Sequence, residues 1–243
     1  MKAKTKNIGI VLYKPKYAGN VGSIARAAKN MGISNMVVVG TVGLDKEEMQ
    51  KRSTHLAADI ISTIKYCPDI GAALADFQYI VGTTARLGKA RGPFNTPRKI
   101  AATIAGQSQK NKVALLFGPE DTGLANDELR YCQAVVTIPT SRDFASLNLS
   151  HAVMILCYEI FQANSSPAEE VPPKWARSEE LEGMYGQIKT LLAEIGFLNP
   201  ENPDYWMMHW RRFFARSGLL SREVKIIRGI CRQLTWSALH KKT

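Results

Sequence analysis

The sequence predicts an α/β protein: a parallel sheet with helices on both faces, followed by a small helical extension. Five short apolar runs rich in β-branched residues read as strands, namely IGIVLY (Ile8 to Tyr13), MVVV (Met36 to Val39), YIVGTT (Tyr79 to Thr84), VALLF (Val113 to Phe117) and VVTIP (Val135 to Pro139). Segments with helical character lie between them: Asn20 to Met31, Asp69 to Phe77, Pro97 to Ala105 and Asn126 to Cys132. Strands that are apolar almost throughout belong to sheets covered on both sides, and parallel pairing needs a crossover between successive strands.

Along the chain, the strand pattern stops after a long helix from about Leu147 to Ala163, so residues 1–163 form the α/β domain. NSSPAEEVPP (Asn164 to Pro173) has turn and breaker residues without periodicity, and residues 164–176 are expected to be a linker. Residues 177–243 read as a helical extension without a clear strand. From Arg222 to Trp236, Val224, Ile227, Cys231 and Leu234 recur at spacings of three and four and define one apolar face, while Arg222, Lys225, Arg228 and Arg232 fall largely on others. No repeat, low-complexity tract or sustained heptad is present, which excludes a solenoid or coiled coil.

No apolar run approaches the roughly 18 to 20 residues that a membrane span needs. The opening MKAKTKNIGIVLY lacks the long apolar segment and cleavage site of a signal peptide, so the cytoplasm is the expected location. Cys67, Cys132, Cys157 and Cys231 are widely spaced without a CxxC pair, and the four histidines lack ligand spacing, so no disulfide framework or metal site is expected. The excess of 32 Lys and Arg over 21 Asp and Glu leaves a formal charge of +11, which favours a polyanionic partner. That charge is concentrated. Arg86, Lys89, Arg91, Arg98, Lys99, Lys110 and Lys112 fall between Phe77 and Pro119 with no acid among them, and from Tyr205 onward nine Lys and Arg face only Glu223. Two separated basic zones suit a long ligand better than a small one.

Several nucleotide-binding and hydrolytic motifs are excluded. Gly19 and Gly22 make GxxG and not GxGxxG; five residues separate Gly82 from Gly88, and Ala90 stands where a P-loop needs Ser or Thr; GxSxG is absent. What remains is three islands at strand ends, where ligand sites of α/β proteins form. They are NVGSIARAAKNMG (Asn20 to Gly32), LLFGPEDTGLANDEL (Leu115 to Leu129) and IPTSRDFASLNLSHAVMILCYE (Ile138 to Glu159).

In order, spacing and strand-to-helix context these islands resemble the three motifs of the SpoU (TrmH-like) branch of the SPOUT RNA methyltransferases, across most of residues 7 to 160. TTAR (Thr83 to Arg86) and the basic C-terminus with ARSGLLSREVKIIRGI resemble the TrmJ-type tRNA methyltransferases. The resemblance implies a deep trefoil α/β knot, S-adenosylmethionine (SAM) as cofactor, and a homodimer whose active site lies at or near the interface. It further implies methyl transfer to a ribose 2'-hydroxyl of tRNA, on a cytidine or uridine at the first anticodon-loop nucleotide. An rRNA 2'-O-methyltransferase of the same fold and a catalytically silent RNA-binding protein are the competing expectations.

The residues support a physical reading beside it. Arg26 lies six residues after Asn20 and is expected on a similar face of one helix, its permanent charge suited to phosphate and a developing alkoxide. By resemblance, Arg26 also meets the RNA backbone. Glu120, after Gly118 and Pro119, is either a carboxylate favoured by a helix dipole or a residue beside the cofactor. Ser146 and Asn148 serve equally well as helix N-caps or site residues. The resemblance adds Asn20, Arg26, Glu120, Ser146 and Asn148 as the catalytic set, and assigns cofactor binding to Thr83, Thr84, Ala85, Gly118, Ile138, Ala145, Ser146 and Leu147. Arg26, Arg86, Lys89, Arg91, Arg222, Lys225, Arg228 and Arg232 are the expected RNA contacts. His151 reads as a helix residue and not a base.

Overall fold

A computed structural model of the chain describes residues 2–86, 94–141, 143–163, 174–199 and 201–240. They divide into two compact units, residues 1–172 and 173–243. In the first, β1 (Ile8–Tyr13), α1 (Ala18–Asn30), β2 (Asn35–Val39), α2 (Lys46–Ser53), α3 (Ala58–Ser62), β3 (Lys65–Cys67), α4 (Ile70–Leu74), β4 (Tyr79–Thr83), β5 (Phe94–Asn95), α5 (Pro97–Gln107), β6 (Val113–Phe117), α6 (Asn126–Leu129), β7 (Ala134–Val136) and α7 (Leu149–Gln162) follow one another. The sheet has seven strands in the order β3-β2-β1-β6-β4-β7-β5, and every pairing is parallel.

The pleat sends successive side chains to opposite faces, and each face has its own core. Ile8, Ile10, Leu12, Met36, Val38, Leu115 and Phe117 meet Ile24, Ile104, Val153 and Leu156 of α1, α5 and α7. Val11, Val37, Val39, Ala114 and Leu116 meet Leu74 and Leu124, with Phe77 packed at the edge. Gly9 admits Phe77 there, because a Cβ on Gly9 would lie 2.8 Å from the Phe77 ring.

All five apolar runs form strands, with small shifts at their ends. The expected segment Val135 to Pro139 pairs only as Ala134–Val136, since Thr137 already hands its amide to the Asn95 carbonyl at the strand end. Asp69 precedes α4 as its N-cap, accepting from the Ala72 amide, and the helix stops at Leu74 so that Phe77 can turn under β1. The helix expected to reach Cys132 ends at Leu129, where Glu128 folds back to accept from the Ala125 amide. The last helix of the unit starts at Leu149, because Asn148 is its cap and accepts from the Ser150 amide. Strands β3 and β5 and helices α2 and α3 were not expected. The strands are two and three residues long, and α2 (KEEMQKRS) has no apolar stripe, only an N-cap at Asp45.

The second unit holds α8 (Ser178–Glu194), α9 (Pro203–Ser217) and α10 (Ser221–His240) around Met184, Tyr185, Ile188, Met207 and Val224. Residues 174–176, expected in the linker, belong to it instead: Trp175 bridges Leu220, and Ala176 is buried with its amide on the Leu219 carbonyl. On α10, Val224 and Cys231 are buried and Ile227 half-buried as the spacing requires, but Leu234 is 51% exposed. Three residues past Cys231, it lies beyond the helix's contact with the core.

Helices α1 and α2 touch backbone to backbone at Gly22, where a Cβ would sit 2.2 Å from the Met49 carbonyl oxygen. Gly22→Ala is therefore expected to destabilise the protein by about 1–3 kcal/mol through overpacking. Gly186→Ala in α8, where nothing lies within 4 Å of the new methyl, is expected to stabilise it by up to about 1 kcal/mol. Denaturant unfolding of both variants checks the contrast.

Candidate active site

The carboxyl ends of three adjacent strands, β6, β4 and β7, open into a cavity of about 340 Å³. Residues 83–86 after β4, 117–123 after β6, Val136 and Ile138 from β7, and 145–147 ahead of α7 line it. Thr83, Thr84, Ala85, Gly118, Ile138, Ala145, Ser146 and Leu147, scattered over 65 positions of sequence, thus come together in one place.

Its wall is built largely from backbone. The Thr84 amide donates to the Val136 carbonyl at 2.9 Å, the Arg86 amide to Thr84 Oγ1 at 3.1 Å, and Thr83 Oγ1 to the Leu116 carbonyl at 3.2 Å. After β6 the chain doubles back: the Gly123 amide reaches the Pro119 carbonyl at 2.8 Å, with Gly123 at φ +60°. This fold brings Gly123 and Leu124 against Gly118, so that a Cβ on Gly118 would lie 2.4 Å from backbone atoms of both. Only glycine fits. The Arg86 guanidinium donates to the Thr122 carbonyl at 2.5 Å and ties this loop to the end of β4. Arg86, expected on RNA, lines the cavity.

Beside the cavity lies an open hollow that shares Glu120, Ser146 and Leu147 with it and adds Tyr17, Asn20, Phe144, Asn148 and His151. Glu120 is its central acceptor. Its carboxylate takes the backbone amides of Lys16 (2.9 Å) and Tyr17 (3.4 Å) and the Asn20 side-chain amide (2.8 Å). Asn20 Oδ1 in turn accepts from Asn148 Nδ2 at 3.0 Å, and Asn148 Oδ1 accepts from the Ser150 amide and hydroxyl. Asn148 is therefore both cap and site member, and Glu120 is not part of a helix N-terminus. Next to it Lys16 Nζ meets Asp121 at 2.6 Å; the hydrogen bond and opposite charge hold the lysine's pKa up and the aspartate's down. Half exposed on both sides, such a pair positions more than it stabilises.

Arg26 is the exception among the expected catalytic residues. It is exposed, lines neither space, and makes no hydrogen bond or ion pair among the described residues. Six residues at about 100° each leave it roughly 120° short of two full turns from Asn20, so the two do not share a face. Of the other expected RNA contacts, Arg222, Lys225 and Arg232 are exposed on α10, whereas Arg228 is half-buried and donates to Gln187 of α8 at 3.0 Å. Lys89 and Arg91 lie outside the described residues. Tyr17, Phe144, Lys16, Asp121 and His151 were not expected in the site. Asp121, Phe144 and His151 lie within the islands and Lys16 and Tyr17 just ahead of the first, and that position is their only sequence signal.

Burial pushes the thiols of Cys132 and Cys157 up to about 12, so neither is a thiolate nucleophile near neutral pH. Among the described residues no cluster of His, Cys, Asp and Glu could hold a metal ion, and no helix is long and apolar enough to cross a membrane.

A backbone-walled cavity at the carboxyl ends of parallel strands, with apolar sides and a carboxylate at its rim, marks an α/β enzyme that works with a nucleoside cofactor. The family model described as the SpoU rRNA Methylase family matches residues 7–158, and the chain belongs to that family. A second model, the C-terminal domain of the tRNA methyltransferase TrmJ, matches residues 179–243. The chain is 36% identical over 237 residues to the tRNA (cytidine/uridine/adenosine-2'-O-)-methyltransferase TrmJ of Pseudomonas aeruginosa, covering 92% of this chain and 91% of that protein. It is 35% identical over 232 residues to the tRNA (cytidine/uridine-2'-O-)-methyltransferase TrmJ of Yersinia pestis, with 92% and 90% covered. The crystal structure of TrmJ from Z. mobilis superposes with a TM-score of 0.82 at 28% identity, over 93% of this chain and 98% of that one. The protein is accordingly a methyltransferase with SAM as its cofactor.

The residues present fit that group. The cavity lies within the range of small-molecule sites, Ile138, Leu147 and Val136 would give a purine an apolar wall, and the Glu120 carboxylate, on the boundary shared with the hollow, would supply a negative charge for a sulfonium. Because the Gly123–Leu124 peptide packs directly against Gly118, Gly118→Ala should weaken SAM binding by on the order of tenfold or more, the equivalent of a modest overpacking penalty. Isothermal titration calorimetry on the purified variant measures it, and unchanged affinity would mean the loop after β6 does not form the cofactor wall.

Proposed function

We propose that this protein transfers a methyl group from SAM to the ribose 2'-hydroxyl of a tRNA nucleotide, a cytidine or uridine at the first position of the anticodon loop. The observation that carries this is the junction of two spaces: a cofactor cavity and a polar hollow meeting at Glu120, Ser146 and Leu147. The match of residues 179–243 to a tRNA methyltransferase domain and the names of the curated relatives favour tRNA over rRNA. The hydrogen-bonded set Asn20, Glu120, Asn148 and Ser150, with Ser146 beside it, argues against a silent RNA-binding protein.

Bound SAM supplies an electrophilic methyl group on a sulfonium. The chain's own task is to hold one oxygen in line with it by positioning and fixed dipoles, while that oxygen's proton leaves to water in the open hollow as the bond to the methyl forms and the methyl's bond to sulfur breaks. Glu120 is held by three N–H donors, which keeps its oxygens in place at the mouth of the cavity. Asn20 and Asn148 hold each other's amides in one orientation and close the floor. Arg26 is assigned to the RNA phosphate and to the alkoxide that forms on the ribose. Its distance from both spaces in one protomer supports a homodimer in which a second subunit completes the site. The exposed Tyr158 and Phe161 on α7 support an interface there. We further assign residues 1–163 as the catalytic domain, folded as a deep trefoil knot, residues 177–243 as a helical RNA-binding domain, and the cytoplasm as the location, where tRNA is available.

Replacing only the target ribose by 2'-deoxyribose in an otherwise competent tRNA should abolish methyl incorporation at that nucleotide, as read by nucleoside mass spectrometry. Continued incorporation would make the base the acceptor. Arg26→Ala should reduce methyl transfer by about 10² or more, the loss typical of a removed transition-state donor. SAM affinity should stay within a few-fold, and a large loss of SAM binding would return Arg26 to the cofactor site.

A further inference from the structure

On α9 the side chains divide sharply by direction. Met207, Trp210, Arg211 and Phe214 turn toward α8 and α10: Met207 is buried, Trp210 and Phe214 pack on that core, and Arg211 pairs with Glu182 and lies over the Tyr185 ring. On the opposite side Tyr205, Trp206, His209, Arg212, Phe213 and Arg216 are all exposed. At about 100° per residue these six fall within an arc of roughly 120°. Tyr205, Trp206 and Phe213 are 51%, 43% and 53% exposed, which is unusual for rings of this size within a little over two turns of helix.

The rings are also held in place. Trp206 meets Phe197 edge-on at 6.0 Å and Tyr205 at 5.9 Å, and Tyr205 meets His209 at 4.8 Å. An edge-to-face pair uses the face of one ring and only the edge of the other, so flat aromatic surface remains available while the side chains are already ordered. No acid lies on the arc. Asp204 sits on the far side of the helix and is paired with Lys189 at 2.7 Å.

We propose that this outer face of α9 is a stacking surface for unpaired bases of RNA, with Arg212 and Arg216 placed for the adjoining phosphates. The inference rests on the reading of the protein as a tRNA methyltransferase and adds a second contact to it, one that takes single-stranded nucleotides. Its chemistry fits that occupant. Ordered rings interleaved with guanidinium groups, and free of carboxylates, match bases linked by phosphates, the ring faces taking the bases and the guanidinium groups the backbone.

The test compares two substitutions of each ring in the full-length protein. Tyr205→Leu with Trp206→Leu keeps apolar volume and removes the π-face, and Tyr205→Phe with Trp206→Phe keeps it. Stacking of a single base predicts that the leucine variant raises the KM for tRNA by about tenfold or more while the phenylalanine variant stays within about threefold. Equal KM for the leucine variant and wild type would overturn the proposal. So would a leucine variant that changes sedimentation in the absence of RNA, since a second copy of the chain would then be what covers the face. Should the leucine variant fail to fold, protection of His209 from diethyl pyrocarbonate by an unstructured oligonucleotide, scored by peptide mass spectrometry on the wild type, decides instead: protection is expected, and its absence overturns the proposal. Wild-type methylation of tRNA, measured alongside, keeps the outcomes apart. If the wild type neither binds nor methylates tRNA, the functional reading fails; if it does both while the leucine variant matches it, only the α9 assignment fails.

Discussion

A single carboxylate organises the site. Glu120 accepts hydrogen bonds from the turn that leaves β1 and from the first turn of α1, and through Asn20 it reaches the cap of α7. Three chain segments, at residues 16–20, 120 and 148, are thereby held in register at the end of the sheet. A charged acceptor with several N–H donors makes stronger, shorter-range constraints than neutral pairs would, which suits a junction where two cavities must share a wall. With no acceptor at position 120, two backbone amides and an asparagine would compete for water, and the hollow would lose its floor.

The sheet makes this arrangement possible. Parallel strands all deliver their carboxyl ends to one side, so the loops after β4, β6 and β7 converge without any long excursion. The crossing of the order, with β6 inserted between β1 and β4, sets the loop after β6 at the centre. That loop then has to be compact. Gly118 and Gly123 allow it, one because backbone passes within a Cβ radius and the other because its φ is positive.

Charge works differently in the two units. In the first, the cations nearest the site are engaged: Lys16 with Asp121 and Arg86 with the Thr122 carbonyl. They shape the loops that make the cavity. In the second, Arg211 and Arg228 are held by Glu182 and Gln187 of α8, while Arg216, Arg222, Lys225 and Arg232 lie outward on α9 and α10, where they contribute to the field that a polyanion meets. Within the net charge of +11 the cations thus serve two roles, and position in the fold separates them.

The sequence by itself determined the class of fold, the strands, and the stretches in which the site lies. Five largely apolar runs of strand length, alternating with helical segments, point to a covered parallel sheet, and the islands around Asn20, Gly118 and Ser146 carry glycine and small polar residues where strands give way to helices. It could not supply β3, β5 or α2, whose stability comes from neighbours and not from their own two to eight residues. Nor could it direct side chains. Arg26 and Arg86 are chemically alike, yet one points into solvent and the other lines the cavity, because helix rotation orients the first and a carbonyl contributed from residue 122 captures the second. Tyr17 and Phe144 became part of the hollow, and Tyr205 and Trp206 part of an exposed face, by the same rule: an aromatic residue's role is decided by what the tertiary fold leaves uncovered.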